Sequence, residues 1–189
     1  MRSCRPSPIA VLLFLAGTFL FPAASLHSAS PEDHPAVPQI LSRAEFLFQS
    51  MKARNYPAIF ATLSAKSRET IVAETASAIA AQTKRTAPRE PGAAVPTPGP
   101  AKGPDPDIDA IRDDFLEGGA IARAYWDAYL RRFDPDAALE HCRWEIGSVG
   151  KERAEILLTH QGAEHPAVLE MFLEGGGWKV GLVETFWPR

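Results

Sequence analysis

The chain has 189 residues, 46% hydrophobic and 23% charged, with a formal net charge of −3 and two cysteines. That balance supports one packed domain and leaves no basic face of the kind nucleic acid requires. Only Cys142 lies beyond the N-terminal apolar run, so no internal disulfide is expected there and packing alone must hold the domain.

The N-terminus has the pattern of a secretory signal. Arg2 and Arg5 precede an apolar run from Ile9 to Phe21, too short to span a bilayer comfortably, and then the small residues PAAS. Cleavage is expected after Ser25; cleavage after Ala29 would leave His27 in a poor place, and an uncleaved anchor is the other alternative. Cys4 precedes the apolar run, so it is not placed as a lipoprotein cysteine. Cleavage leaves about 160 residues and, with two arginines gone, a balance of about −5. The protein is therefore expected to be exported, to the periplasm or beyond, with no membrane span after signal cleavage.

Residues 26–37 read as a flexible lead. A single domain is expected over 38–187. Ile40, Ala44, Leu47 and Met51, widened by Phe48, place an apolar stripe on a first helix that starts near Pro38. Asn55 followed by Pro57 stops that helix and starts a second, with Ile59, Phe60 and Leu63 inward. Ser64 to Ser67 read as a kink before a third helix, SRETIVAETASAIAAQ, with Ile71 and Ile79 inward. Seven prolines then fall between Thr86 and Pro106, where no hydrophobic period survives. Residues 86–106 are read as a disordered insertion in one domain, with a two-unit chain as the alternative. Asp107 caps a further helix bearing Ile108, Ile111 and Phe115. Gly118 and Gly119 interrupt it before IARAYWDAYLRRF, and Asp134-Pro135 opens one short turn more.

From Trp144 onward the pattern changes to a period of two. WEIGSV, RAEILLTH, PAVLEMFLE and WKVGLVETFW read as four strands, separated by GKE, QGAEH and GGG. Connections that short leave no room for a crossover, so the strands must form an antiparallel meander. One phase collects Trp144, Ile146, Ala154, Ile156, Leu158, Ala167, Leu169, Met171, Leu173, Trp178, Val180 and Leu182; the other is mainly polar. The sheet should bury one face under the helices and leave the other wet. The fold class is therefore α+β, with N-terminal helices on a curved four-stranded antiparallel meander.

That order of elements resembles the cone-like fold of the nuclear transport factor two and ketosteroid isomerase superfamily. NYPAIFATLSAKSRETI is similar to the helix pair of many secreted members, and WKVGLVETFW to their last strand. A cystatin-like sheet on a helix is the nearest competitor. The resemblance implies a pocket between sheet and helices. It also implies a range of roles, from isomerase and dehydratase to binding domain and inactive interaction module, so fold alone does not choose among them.

Ser148, His160 and Glu184 fall in the apolar phase of the strands. A buried Glu184 beside His160 could abstract a proton next to a carbonyl, with Tyr125 or Tyr129 polarising the oxygen. The plainer expectation is that His160 and Glu184 stand near strand ends, where the alternation reaches water. His160, His165 and Glu164 around a hairpin, or His141 beside Cys142, match no recognised metal spacing, so no metal and no cofactor are expected. Arg131 and Arg132 are read as complementing a helix dipole.

The leading expectation is a non-enzymatic module that binds a small apolar or amphipathic ligand, or a protein partner, in the cell envelope. Trp126, Tyr129, Trp144, Leu158, Met171 and Trp178 are the expected lining. An isomerase- or dehydratase-type enzyme using Glu184 and His160 is the alternative. A homodimer through the outer sheet face, near Arg153 and Glu170, is the third possibility.

Overall fold

The computed structural model describes residues 31–86 and 107–186. The expected signal segment and all but the first residue of the proline-rich insertion lie outside the described residues, as does Trp187. The described chain is α+β: helices first, then a four-stranded open antiparallel sheet in the order β1-β2-β3-β4. No described helix is long and apolar enough to cross a membrane.

Helix α1 (Val37–Lys52) buries Ile40, Ala44, Leu47, Phe48 and Met51, the stripe expected from their spacing. Asn55 accepts a hydrogen bond from the Ala58 amide and so caps α2 (Tyr56–Thr62). Between them Arg54 adopts φ +54°, a left-handed conformation, and its guanidinium reaches Asp127 at 2.8 Å. Helix α3 (Ala65–Thr86) follows at once. Asp107 caps α4 (Ile108–Glu117) by accepting from the amides of Asp109 and Ala110. Gly118 ends α4 at φ +72°, where a side chain would also strike the Pro57 ring. Helix α5 (Ala120–Leu130) starts at Gly119, and Asp114 accepts from its Ala122 amide at 2.8 Å. Asp134 caps the short α6 (Pro135–Glu140). Lys52 pairs with Asp136 and Glu140, tying α1 to α6.

Strands β1 (Cys142–Val149), β2 (Arg153–His160), β3 (Ala167–Glu174) and β4 (Gly177–Gly181) form the meander. Their register aligns Ile146 with Ile156 and Leu169, and Val149 with Ala154, Met171 and Val180. Those rows face the helices, so Ile156, Leu169, Met171 and Val180 are fully buried. The core therefore lies between this sheet face and α1–α5, as the alternation predicts. At the ends of the same phase Ala167 and Leu173 are exposed. The free edge of β4 is covered by the α2–α3 link, where the Ser64 amide donates to the Val180 carbonyl at 2.9 Å.

Two expectations in the sheet are corrected. Ser148 does not point inward: the register shifts at Gly147, so Ser148 lies opposite Glu155 and donates to its carboxylate at 3.0 Å. The bulge flips the phase by one residue, and Gly147 fits it because a side chain there would press on Leu157. The last strand also does not continue toward Trp187. It stops at Gly181, and Leu182–Phe186 form a one-turn helix, α7. The cause is remote in sequence: the Ser67 hydroxyl on α3 accepts from the Val183 amide at 3.0 Å, supplying the cap that a helix start needs. Leu182 remains buried under this geometry.

Candidate functional site

Helix α5 has two faces with different tasks. Ala122 and Trp126 turn into the core and are fully buried. Tyr125, Ala128 and Tyr129 recur at helical spacing and, with Arg132 from the turn after the helix, open onto a cleft of about 610 Å³. Arg131, Phe133 and Phe186 complete its lining. Phe186 comes from the end of α7, so the latch that turns the chain at Gly181 also places this ring.

The wall is a run of touching aromatic rings. Tyr129 lies 5.6 Å from Phe133, Phe133 lies 6.1 Å from Phe186, and Phe48 stacks on Phe133 at 5.8 Å. Behind it the Trp126 ring meets Tyr125 and Tyr129 edge to face, at 5.0 and 5.7 Å. The Trp126 indole N–H is buried with no hydrogen-bond partner among the described residues. Its contribution there is ring packing.

Beyond Phe133 and Phe186 a second hollow of about 380 Å³ opens toward the sheet. Phe48, Ala138, Cys142, Leu158 and Ala167 give it an apolar floor, and His160 and His165 stand at its outer end. Arg132, Phe133 and Phe186 line both spaces, so they share one wall.

Burial pushes the hydroxyls of Tyr125 and Tyr129 well above the usual phenol range; for Tyr125 the nearby Glu74 carboxylate adds to this. Both remain neutral hydroxyls at any physiological pH. Burial also raises the Cys142 thiol, which stays protonated and acts as a small apolar group in the hollow. Arg131 and Arg132 are exposed at the cleft rim. Neither makes an ion pair among the described residues. The rim is cationic, the wall aromatic and the far hollow apolar.

The residues expected from sequence divide among several places. Tyr129 lines the cleft and Leu158 the second hollow. Trp126 and Met171 are fully buried core. Trp144 packs edge to face on Phe48 at 5.6 Å and donates its indole N–H to the Ala138 carbonyl at 2.8 Å, backing the hollow from behind. Trp178 lines a separate depression with Val149 and Leu173, at the other end of the sheet.

Of the expected catalytic candidates, Tyr125 reaches the cleft. His160 is exposed rather than buried, because it ends β2 at the hairpin and its ring nitrogen Nδ1 sits 2.8 Å from the Gln161 carbonyl. Glu184 is half-buried and already engaged: Ser64 donates to it at 2.9 Å and Ser67 at 2.6 Å. Among the described residues, neither Glu184 nor a histidine lines the Tyr125 cleft. No group of three or more metal-ligating side chains is gathered among the described residues.

Sequence reasoning missed Phe133 and Phe186 as lining and treated the arginines as dipole partners alone. The signal for α5 was present, since Tyr125, Ala128 and Tyr129 share one helical stripe and Arg132 stands in the turn that follows it. No family model, no curated protein and no solved structure matches the chain.

Proposed function

We propose that the protein is an exported, non-enzymatic binding module of the cone-fold type that takes a small amphipathic ligand in the α5–α7 cleft. One observation carries this reading: an aromatic-walled cleft of about 610 Å³ with two exposed guanidinium groups at its rim. Ligand sites are commonly of this size, apolar in the main with a few placed polar groups. Two neutral tyrosine hydroxyls and a cationic rim supply those groups here. The signal-like N-terminus supports export, and the resemblance to the cone-fold superfamily supports a pocket on the helix side of the sheet.

The isomerase or dehydratase reading has less support. Its base, Glu184, spends both carboxylate oxygens on seryl hydroxyls, and its imidazole stands in water. Homodimerisation through the outer sheet face is a second reading, favoured by Val168, which is 40% exposed beside its cross-strand partner Leu157 on that face.

The test is native mass spectrometry of the protein from its own host, beside an Ala128→Trp variant. Ala128 is exposed and lines the cleft, so the larger ring fills the cleft without disturbing the core. A ligand of a few hundred daltons carried by the wild type and lost from the variant supports the reading. A ligand carried equally by both places it elsewhere, and a bare dimer moves attention to the sheet.

A further inference from the structure

We infer that the occupant is an elongated anion with one charged head and an unbranched apolar tail, bound across both hollows. The inference rests on the cleft reading above and adds the ligand's shape, polarity and direction.

Charge gives the direction. Arg131 and Arg132 stand together at the first cleft, which is also walled by the Tyr125 and Tyr129 hydroxyls. The backbone carbonyls that end α5 give that end of the helix a negative character. An anion there depends on both guanidinium groups, since one alone would little more than offset the dipole. The opposite hollow offers a tail Phe48, Ala138, Leu158 and Ala167, all apolar. Among the described residues its one carboxylate, on Asp134, already accepts from the Asp136 amide. In the described chain only the first cleft brings two guanidinium groups and two tyrosine hydroxyls together; the far hollow shares Arg132 at the common wall and has His160 and His165 at its outer end, so the paired donors favour the head at the first cleft.

Shape follows from the shared wall. Phe133 and Phe186 line both spaces, and their ring centroids are 6.1 Å apart, so the two rings touch. An occupant of both spaces must pass over this ridge. A flexible chain can bend over it, whereas a fused ring system of the same volume cannot. A carboxylate and a sulfate head share the chemistry the arginines select, namely oxygens able to accept paired N–H donors.

The experiment is calorimetric titration of the mature protein with straight-chain carboxylates of six to fourteen carbons, alkyl sulfates and alcohols of matched length, below their micelle concentrations. For the wild type, affinity is expected to rise about fourfold per added methylene until the far hollow is full. Arg131→Gln and Arg132→Gln should each weaken the anions about tenfold while leaving the alcohols nearly unchanged. Ala167→Trp fills the far hollow from an exposed position, so the long chains should lose their advantage while the short ones bind as before. Long-chain affinity unchanged in Ala167→Trp overturns the two-hollow inference and leaves the cleft reading standing. Binding unaffected by Ala128→Trp, or no binding by any member of the series, overturns the cleft reading itself. Alcohols binding as tightly as anions overturns the assignment of the head to the arginines.

Discussion

Replacing Ser67 by alanine is expected to destabilise the fold by about 3 kcal/mol, far more than a seryl hydroxyl usually contributes. Ser67 is fully buried and its hydroxyl works in both directions: it donates to Glu184 at 2.6 Å and accepts from the Val183 amide at 3.0 Å. A hydrogen bond to a charged group contributes about 1.5–3 kcal/mol, and a buried backbone N–H left without an acceptor costs about 1–3 kcal/mol. The two losses share one oxygen and one helix end, so they should not add fully. For a domain of this size about 3 kcal/mol corresponds to a fall of roughly 6–12 °C in Tm. Urea denaturation followed by tryptophan fluorescence measures the change, with Ser77→Ala as control because the Ser77 hydroxyl only bonds back to the Ala73 carbonyl on an exposed helix face. Hydrogen exchange offers a local readout, since the α7 amides should exchange on the order of 100-fold faster. Glu184→Gln should cost less, about 1 kcal/mol, because an amide keeps one acceptor and the side-chain volume. A Ser67→Ala protein within about 0.5 kcal/mol of wild type would refute the latch and leave the turn at Gly181 without its cause.

Further outcomes follow from the same geometry. Gly118→Ala should cost about 2 kcal/mol or more, because it combines a left-handed backbone with a contact of 2.8 Å to the Pro57 ring; Gly162→Ala, also left-handed but in open space, should cost only about 1 kcal/mol. Trp126→Phe should be tolerated to about 1–2 kcal/mol, since the indole N–H has no partner to lose, whereas Trp126→Ala should cost about 4 kcal/mol through the cavity it opens. High pH should destabilise the protein. Tyr125 and Tyr129 are raised from 10.0 in the fold, so above that value the unfolded chain releases their protons and the native one keeps them. Stability is then full below pH 10 and falls by about 1.4 kcal/mol per pH unit for each tyrosine above it. In a Tyr56→Phe background, which removes the third tyrosine, tyrosinate absorbance should lag in the native protein and appear together with unfolding; tyrosinate forming near pH 10 in that folded variant would contradict the burial of the Tyr125 and Tyr129 rings.

The features readable in the sequence are those whose signals are local. Asn55, Asp107 and Asp134 cap the helices they precede, and each bond spans two or three residues. The apolar stripe of α1 and the alternation of β2 and β3 also repeat within a few residues, so the α+β layout and most of the buried rows could be read directly. The meander order followed from connections too short for anything else. The departures occur where a distant group decides. A bulge at Gly147 depends on Leu157 across the ladder and reverses Ser148. The strand-to-helix change at Gly181 depends on Ser67, 116 residues before the amide it caps, while the local pattern of Trp178, Val180 and Leu182 continues to read as strand. The candidate site fared worse than the fold for a related reason. A cleft belongs to the elements that meet there, and Phe133 and Phe186 become neighbours only after α5 and α7 are placed.

Glu184 shows how such a misreading arises and what the residue does instead. A carboxylate in the apolar phase of a strand suggests a buried base. With the chain turned into α7, the same carboxylate receives two hydroxyls from the start of α3 and fixes the last described turn against it. Phe186 lies two residues further and forms part of the wall common to both hollows. The group that suggested catalysis therefore acts on the cleft as an anchor, through position. If that is its role, Ser67→Ala should weaken ligand binding without any change in the cleft's own side chains, and the long-chain ligands should suffer most, because they cross the ridge that Phe186 helps to build. An unaltered chain-length dependence in a Ser67→Ala protein that is demonstrably less stable would separate the latch from the cleft, and Phe186 would then owe its place to packing on Phe133 alone.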